Sequence, residues 1–177
     1  HPTPPLIPIH SPAIAPLAAQ PHSPPPVWLA SQVMVPVAPV LPEVAALRQS
    51  EPVGRQGDAA DDPAIWVHPE HPGQSRVLGT NKKQGLLAYD LDGKLLQELA
   101  VGRLNNVDVR PRFKLGQQTV DLAVASNRDR NSLSLFSIDR QTGELREAGE
   151  VPTPLKEIYG MCLFQPAGGD IYAIANG

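Results

Sequence analysis

A repeating unit of short strand-like runs in residues 53–177 limits the fold more than any other feature of this chain. Three mainly apolar runs each end in an X-Pro pair, at Pro69, Pro111 and Pro166, which are 42 and 55 residues apart. Because proline cannot donate to a strand ladder, we expect each run to be a strand that ends at its proline. The spacing is typical of a repeat built from one small sheet.

Further strands complete each unit. A second apolar run ends at Asn81, Asn127 and Asn176 in the three units, and a third strand and a turn follow in the first two, at Asp92-Gly93 and Thr142-Gly143. Asp-Gly between alternating apolar runs is a strong hairpin signal. Four antiparallel strands per unit, with no amphipathic helix, predict an all-β fold made of β-propeller blades. The chain holds about two and a half blades, so we expect the remaining blades to be missing from it, because closure takes at least about four.

The first 52 residues have a different composition. They contain 14 of the 21 prolines, no glycine and one aromatic residue, Trp28. Such a segment cannot bury enough apolar surface to fold by itself. We therefore predict a proline-rich, disordered leader at 1–52 and a propeller portion at 53–177. The apolar stretch 27–47 is interrupted by prolines, so we predict no membrane span. The net charge of −3 argues against nucleic acid as a partner.

Cations follow the asparagine that ends the second strand in two units. Lys82 and Lys83 follow Asn81, and Arg128 follows Asn127. If the blades are equivalent, Lys82 and Arg128 occupy matching positions and converge on one face. Two convergent cations can bind phosphate or carboxylate, and arginine can do so in a bidentate manner. The alternative is that they are ordinary solvated loop cations.

Acidic and amide side chains precede the first strands. Asp61 and Asp62 lie before Pro63, and Asn105-Asn106 holds the same place in the second unit. Carboxylate, amide and backbone oxygens are the ligands that Ca²⁺ prefers, although an Asp before a proline is also typical of a capped turn. Tyr159 holds that place in the third unit, where its phenol either binds an anion or packs.

Six stretches in this order closely resemble the β-propeller phytases, also called alkaline phytases, over residues 58–177. They are Asp61-Asp62-Pro63-Ala64-Ile65-Trp66-Val67-His68-Pro69, Thr80-Asn81-Lys82-Lys83-Gln84-Gly85, Tyr89-Asp90-Leu91-Asp92-Gly93-Lys94, Leu104-Asn105-Asn106-Val107-Asp108-Val109-Arg110, Ala125-Ser126-Asn127-Arg128 and Tyr159-Gly160-Met161-Cys162-Leu163.

The resemblance implies a six-bladed propeller that removes phosphate from phytate, myo-inositol hexakisphosphate. It implies several Ca²⁺ ions at the top of the channel and attack by a metal-activated water. It also implies a secreted or periplasmic location. The expected phosphate-binding residues are Lys82, Lys83, Arg128 and Tyr159. Asp61 is the expected catalytic carboxylate near the calcium ions, and Asp62, Asn106 and the Val107 carbonyl are the expected ligands of a structural calcium ion.

This chain lacks the later carboxylates of the family, so we expect it to be inactive alone. Two other functions stay open. One is a non-catalytic partial propeller that binds phytate or calcium for a linked catalytic domain. The other is an unrelated propeller hydrolase, such as a calcium lactonase, since fold alone does not fix function. The matched Lys82 and Arg128 favour a phosphate ligand over a neutral lactone.

Overall fold

The computed structural model describes residues 43–54 and 57–177. Residues 1–42, which carry most of the predicted leader, lie outside the described part. The chain divides into two compact units, and every strand in the described part belongs to the unit that includes residues 47–177. Of the other unit, residues 9–46, only 43–46 are described, and these are exposed and have no regular structure.

In the described residues, ten strands form three antiparallel sheets. The first sheet has the order β1-β2-β3-β4 and the second the order β5-β6-β7-β8, while β9 pairs with β10. The strands are β1 Ala60–Trp66, β2 Arg76–Asn81, β3 Gly85–Tyr89, β4 Leu95–Leu99, β5 Leu104–Leu115, β6 Gln118–Asn127, β7 Ser132–Ile138, β8 Leu145–Pro152, β9 Met161–Phe164 and β10 Tyr172–Ala175. This is the predicted arrangement of two four-stranded propeller blades and two strands of a third. In the described residues the only helix is a single 3₁₀ turn, Pro72–Gln74, and none could span a membrane.

The predicted hairpin turns are confirmed, and both are built in the same way. Gly93 and Gly143 adopt positive φ angles of 88° and 71°, the left-handed conformation that favours glycine. In the first turn the Asp90 carboxylate accepts the N–H groups of Asp92 and Lys94, at 3.0 and 2.9 Å. Asp139 accepts two backbone N–H groups of the second turn. The local sequence is therefore sufficient to set these turns.

The expectation that proline ends the first strand is wrong in the second blade. β5 continues through Pro111 to Leu115, with a register irregularity between Arg110 and Phe113. Arg112 has a positive φ of 60°, and its N–H donates to the Asp121 carboxylate at 2.8 Å instead of to the ladder. The strand therefore accommodates Pro111 in a bulge, where a missing donor costs little.

The apolar core lies between successive blades. One buried cluster combines Trp66, Leu78 and Leu86 of the first blade with Phe136 and Leu145 of the second. A second cluster joins the second blade to the two-stranded sheet, and it includes Leu122, Leu133, Ile158, Met161 and Leu163. Each blade thus buries one face against the next, which fixes the relative position of their strand ends.

A buried carboxylate also joins the first two blades. Asp121 is 2% exposed, and its Oδ2 atom accepts a hydrogen bond from Trp66 Nε1 at 2.8 Å. Its other oxygen accepts from the Arg140 side chain and from the N–H of Arg112. Removing the carboxylate would leave a buried indole N–H and a partly buried guanidinium without their acceptor.

We expect Asp121→Ala to lower the free energy of unfolding by about 2–4 kcal/mol, because buried donors and a charge lose their partner. The measurement is urea unfolding of the complete gene product that contains this chain. Asp170→Ala serves as the control, since Asp170 is exposed in the loop before β10. Equal stability of the two variants would contradict this account of the blade interface.

The last residues of the predicted leader contact the first blade. Glu51 N–H donates to the Gly93 carbonyl at 2.7 Å, and Arg48 pairs with Asp92 at 3.0 Å. A Cβ atom on Gly93 would lie 2.1 Å from the Gln49 carbonyl oxygen, so the close approach requires glycine there. Contacts with the first blade therefore begin before the predicted domain start at residue 53.

Candidate phosphate- and calcium-binding site

The asparagines at the strand ends place the two candidate cations. Asn81 and Asn127 are 1% and 0% exposed, and the side-chain oxygen of each accepts the N–H two residues later, at 2.9 and 3.1 Å. The N–H of the residue between them donates back to the segment that precedes the first strand of the same blade. Lys82 N–H donates to the Ala59 carbonyl at 2.8 Å, and Arg128 N–H to that of Arg103 at 2.9 Å. Lys82 and Arg128 thus occupy equivalent positions in neighbouring blades.

Lys82 is paired with two carboxylates. Its Nζ atom lies 3.1 Å from Asp58 and 3.2 Å from Asp61. Hydrogen bonds to Asp58 and then to Asp61 raise the pKa of Lys82 above its ordinary value. The amine therefore stays charged well above neutral pH, and the pair brings a candidate phosphate-binding cation to the candidate catalytic carboxylate Asp61.

Arg128 is placed between an acid and an aromatic ring. It donates to Glu157 at 2.8 Å, and its guanidinium carbon lies 5.3 Å from the centre of the Tyr159 ring. That distance is within the range of a cation–π contact. The hydrogen bond from Arg128 holds the pKa of the exposed Glu157 below its ordinary value.

Arg128 also has a donor without a partner. Its Nε atom is buried and makes no hydrogen bond to the protein. A buried donor without an acceptor is costly, so a ligand oxygen that reached this N–H would be stabilised by accepting its hydrogen bond. Tyr159 is 52% exposed beside it, which leaves its phenol accessible to the same ligand. The structure thus brings together two of the predicted phosphate-binding residues.

Asp61 and Asp62 lie at the start of β1, where the chain bulges against β2. The Asp62 carboxylate accepts the N–H of Val107 at 3.0 Å, so Asp62 and Val107 are neighbours across the blade interface. The contact uses the amide of Val107, whereas the resemblance implied its carbonyl as a calcium ligand. Both aspartates also line a cavity of about 280 Å³ between residues 49–53 and the first blade.

The oxygen ligands near Asp62 are of the chemical type that calcium prefers. Asn105 is 3% exposed, and its side-chain oxygen is buried with no hydrogen-bond donor. Its amide nitrogen donates to the Asn106 side-chain oxygen at 3.2 Å, so the two amides lie side by side. An orphaned buried amide oxygen is the kind of ligand that a hard cation would satisfy.

These oxygen ligands are too few for a complete calcium shell. Ca²⁺ takes about six to eight oxygen ligands. No three His, Cys, Asp or Glu side chains in residues 43–54 and 57–177 are grouped closely enough to hold a metal ion. The described residues would therefore supply at most part of a calcium shell.

Sequence reasoning placed Asp58 in the acidic segment without foreseeing its pairing with Lys82, and it assigned no role to Glu157 or Arg103. Asp58 and Glu157 are the carboxylate partners of Lys82 and Arg128, and Arg103 donates twice to Asp129, at 2.6 and 2.8 Å. The bonds from Arg103 lower the pKa of Asp129. Aligning the two repeats places Arg103 of the second blade at the position that Ala59 holds in the first. This alignment would have shown an additional cation near Arg128. The predicted phosphate-binding residue Lys83 follows Lys82 directly, and its N–H donates to the Asn81 side-chain oxygen at 2.9 Å.

Comparison with known proteins identifies the family. A family model described as "Phytase" matches residues 30–177, which includes part of the proline-rich segment. The chain is also 42% identical over 142 residues to the 3-phytase of Bacillus subtilis (strain 168). The alignment covers 76% of this chain but only 37% of that relative. With its all-β blades, its matched Lys82 and Arg128 and this similarity, the chain belongs to the phytase family, in its β-propeller form.

Proposed function

We propose that this chain supplies the first blades of a calcium-dependent phytase that hydrolyses phosphate monoesters of phytate. The supporting observation is the equivalent placement of Lys82 and Arg128, each beside a carboxylate, in a chain of the phytase family. Water would attack phosphorus, the bond from phosphorus to the inositol oxygen would break, and that oxygen would take the proton. The products are inorganic phosphate and a lower inositol phosphate.

The cations would bind phosphate by exchanging their partners. The side chain of Glu157, the partner of Arg128, is 69% exposed, and that of Asp58, a partner of Lys82, is 81% exposed. Because exposed ion pairs are weak, a polyanionic ligand can displace both carboxylates at little cost. Arg128 would then offer the terminal nitrogen released from Glu157, and a guanidinium can bind phosphate in a bidentate manner. Tyr159 would add a hydrogen bond from its phenol.

Asp61, Asp62 and the amide oxygens of Asn105 and Asn106 would hold calcium on this side of the site. When bound, Ca²⁺ supplies neutralisation of the phosphate charge and activation of the attacking water. Asp61 also holds Lys82 in place through their ion pair. A secreted or periplasmic location accords with this proposal, because weak calcium sites suit compartments that are rich in the ion.

The test compares the complete gene product with residues 1–177. We expect the complete gene product to release phosphate from phytate in the presence of millimolar-scale Ca²⁺. We expect no substantial release by the 177-residue chain, because it brings only one side of the calcium shell. Absence of phytate hydrolysis by the complete gene product would overturn the proposed function, and activity of the short chain would overturn its dependence on later blades.

A second candidate is a non-catalytic module that binds phytate or calcium for a linked domain. The lack of any group of three or more His, Cys, Asp or Glu side chains placed to hold a metal ion in residues 43–54 and 57–177 favours it. Titration of phytate into the complete gene product separates the two functions: binding without phosphate release identifies the module. A lactonase is disfavoured, since two matched cations such as Lys82 and Arg128 suit an anionic phosphate better than a neutral lactone.

A further inference from the structure

Two buried hydroxyl groups connect the blades at the candidate site. Thr80 and Ser126 lie one residue before Asn81 and Asn127, and they are 1% and 0% exposed. Each hydroxyl oxygen accepts an N–H from the first strand of its own blade: Thr80 from Asp62 at 2.9 Å, and Ser126 from Asn106 at 3.0 Å. The two side chains therefore hold equivalent places in the repeat.

Each hydroxyl donates a hydrogen bond to the next blade. Thr80 donates to the Asn105 carbonyl at 2.6 Å, which is shorter than its 3.3 Å contact with the Asp62 carbonyl. Ser126 donates to the Tyr159 carbonyl at 2.8 Å. A hydroxyl that accepts from one blade and donates to the next joins the two blades at one point.

Ser126 thereby connects two of the residues proposed to bind phosphate, Arg128 and Tyr159. Arg128 follows Ser126 by two residues, and the Ser126 hydroxyl holds the backbone of Tyr159, whose ring faces the Arg128 guanidinium. The N–H of Tyr159 is held separately by the Asn176 carbonyl at 2.9 Å. The distance from guanidinium to ring thus depends on a short path through one side-chain hydroxyl.

We infer that Ser126 is a positioning residue that sets Tyr159 against Arg128 for phosphate binding. This inference rests on the proposed function. The pattern of hydroxyl, asparagine and cation occurs as Thr80-Asn81-Lys82 and as Ser126-Asn127-Arg128. The third repeat reads Ala175-Asn176-Gly177, so it lacks the hydroxyl and the cation together. Joint presence or absence is expected if the hydroxyl serves the cation.

The kinetic test uses the complete gene product. Ser126→Ala should raise the KM for phytate by about three- to tenfold, the value of one buried hydrogen bond, with a smaller change in kcat. Ser126→Thr should keep the KM near that of the unaltered protein, because threonine holds the equivalent position at residue 80. The matched control is Ser75→Ala: Ser75 is also buried and also accepts one N–H and donates to one carbonyl, but within a single loop.

A double-mutant cycle separates positioning from a general structural role. In a Tyr159→Ala background the Ser126→Ala substitution should have no further effect on KM, since it acts through Tyr159. Additive effects would overturn the inference. If Ser126→Ala does not fold, Ser126→Cys, which keeps the volume but donates weakly, replaces it in every arm.

Hydrogen exchange provides a readout that does not need activity. Loss of the hydroxyl should speed amide exchange of Tyr159 and Gly160 by about tenfold, while the Leu163 amide, which donates to Asp108 at 2.8 Å, stays protected. Unchanged exchange at Tyr159 and Gly160 would overturn the positioning role. If their exchange rises in a gene product that never hydrolyses phytate, the proposed function fails while the structural connection stands.

Discussion

Removing calcium from the complete gene product should reduce phosphate release from phytate by at least about a hundredfold, the effect of losing a main electrostatic stabiliser of the transition state. The reason lies in the donors near the blade interface. Asp61 and Asp62 supply carboxylates, and the buried Asn105 side-chain oxygen has no protein donor. Phytate is densely anionic, so this acidic side of the site would repel it unless cations lie between.

The measurement is phosphate release after exhaustive chelation and again after Ca²⁺ or Mg²⁺ is restored. We expect Ca²⁺ to restore activity better than Mg²⁺, because irregular sets of carboxylate and carbonyl oxygens suit the larger ion. Asp62→Asn should raise the Ca²⁺ concentration needed for half-maximal activity, and Asp170→Asn should not. Full activity after chelation would remove calcium from the mechanism.

The second large effect should come from the matched cations. In the complete gene product, Lys82→Ala and Arg128→Ala should each lower kcat/KM for phytate by about 30- to 1000-fold, the range for losing one preorganised charged donor. Lys82 and Arg128 are expected to stay charged near neutral pH, since the carboxylates beside them raise their pKa values.

Matched controls distinguish a binding role from surface charge. Arg146 donates to Glu144 at 2.9 Å much as Arg128 donates to Glu157, but it lies on the outer strand β8, away from the strand ends that carry Lys82 and Arg128. Lys94 is an exposed lysine in the Asp92-Gly93 turn. Arg146→Ala and Lys94→Ala should leave kcat/KM unchanged, and all four variants should unfold at similar temperatures. Near-normal kinetics for Lys82→Ala and Arg128→Ala would return these residues to ordinary solvated cations.

The sequence by itself determined the elements and their repetition. The alternation of apolar residues, the Asp-Gly and Thr-Gly turns and the asparagine at each second strand end are local signals. They were enough to predict four antiparallel strands per blade and the equivalence of Lys82 with Arg128. The pairs Asn81 with Lys82 and Asn127 with Arg128 worked as signals because each asparagine makes its turn with residues next to it in the chain.

Only the tertiary structure decided which groups meet across the blades. Asp121 lies 55 residues from Trp66, and Ser126 lies 33 residues from Tyr159. No local sequence pattern therefore predicts the hydrogen bond within either pair. The course of β5 through Pro111 depends likewise on Asp121, which accepts the displaced N–H of Arg112. Such partners are selected when whole blades pack face to face, since burying a polar group is tolerable only where another blade presents its complement.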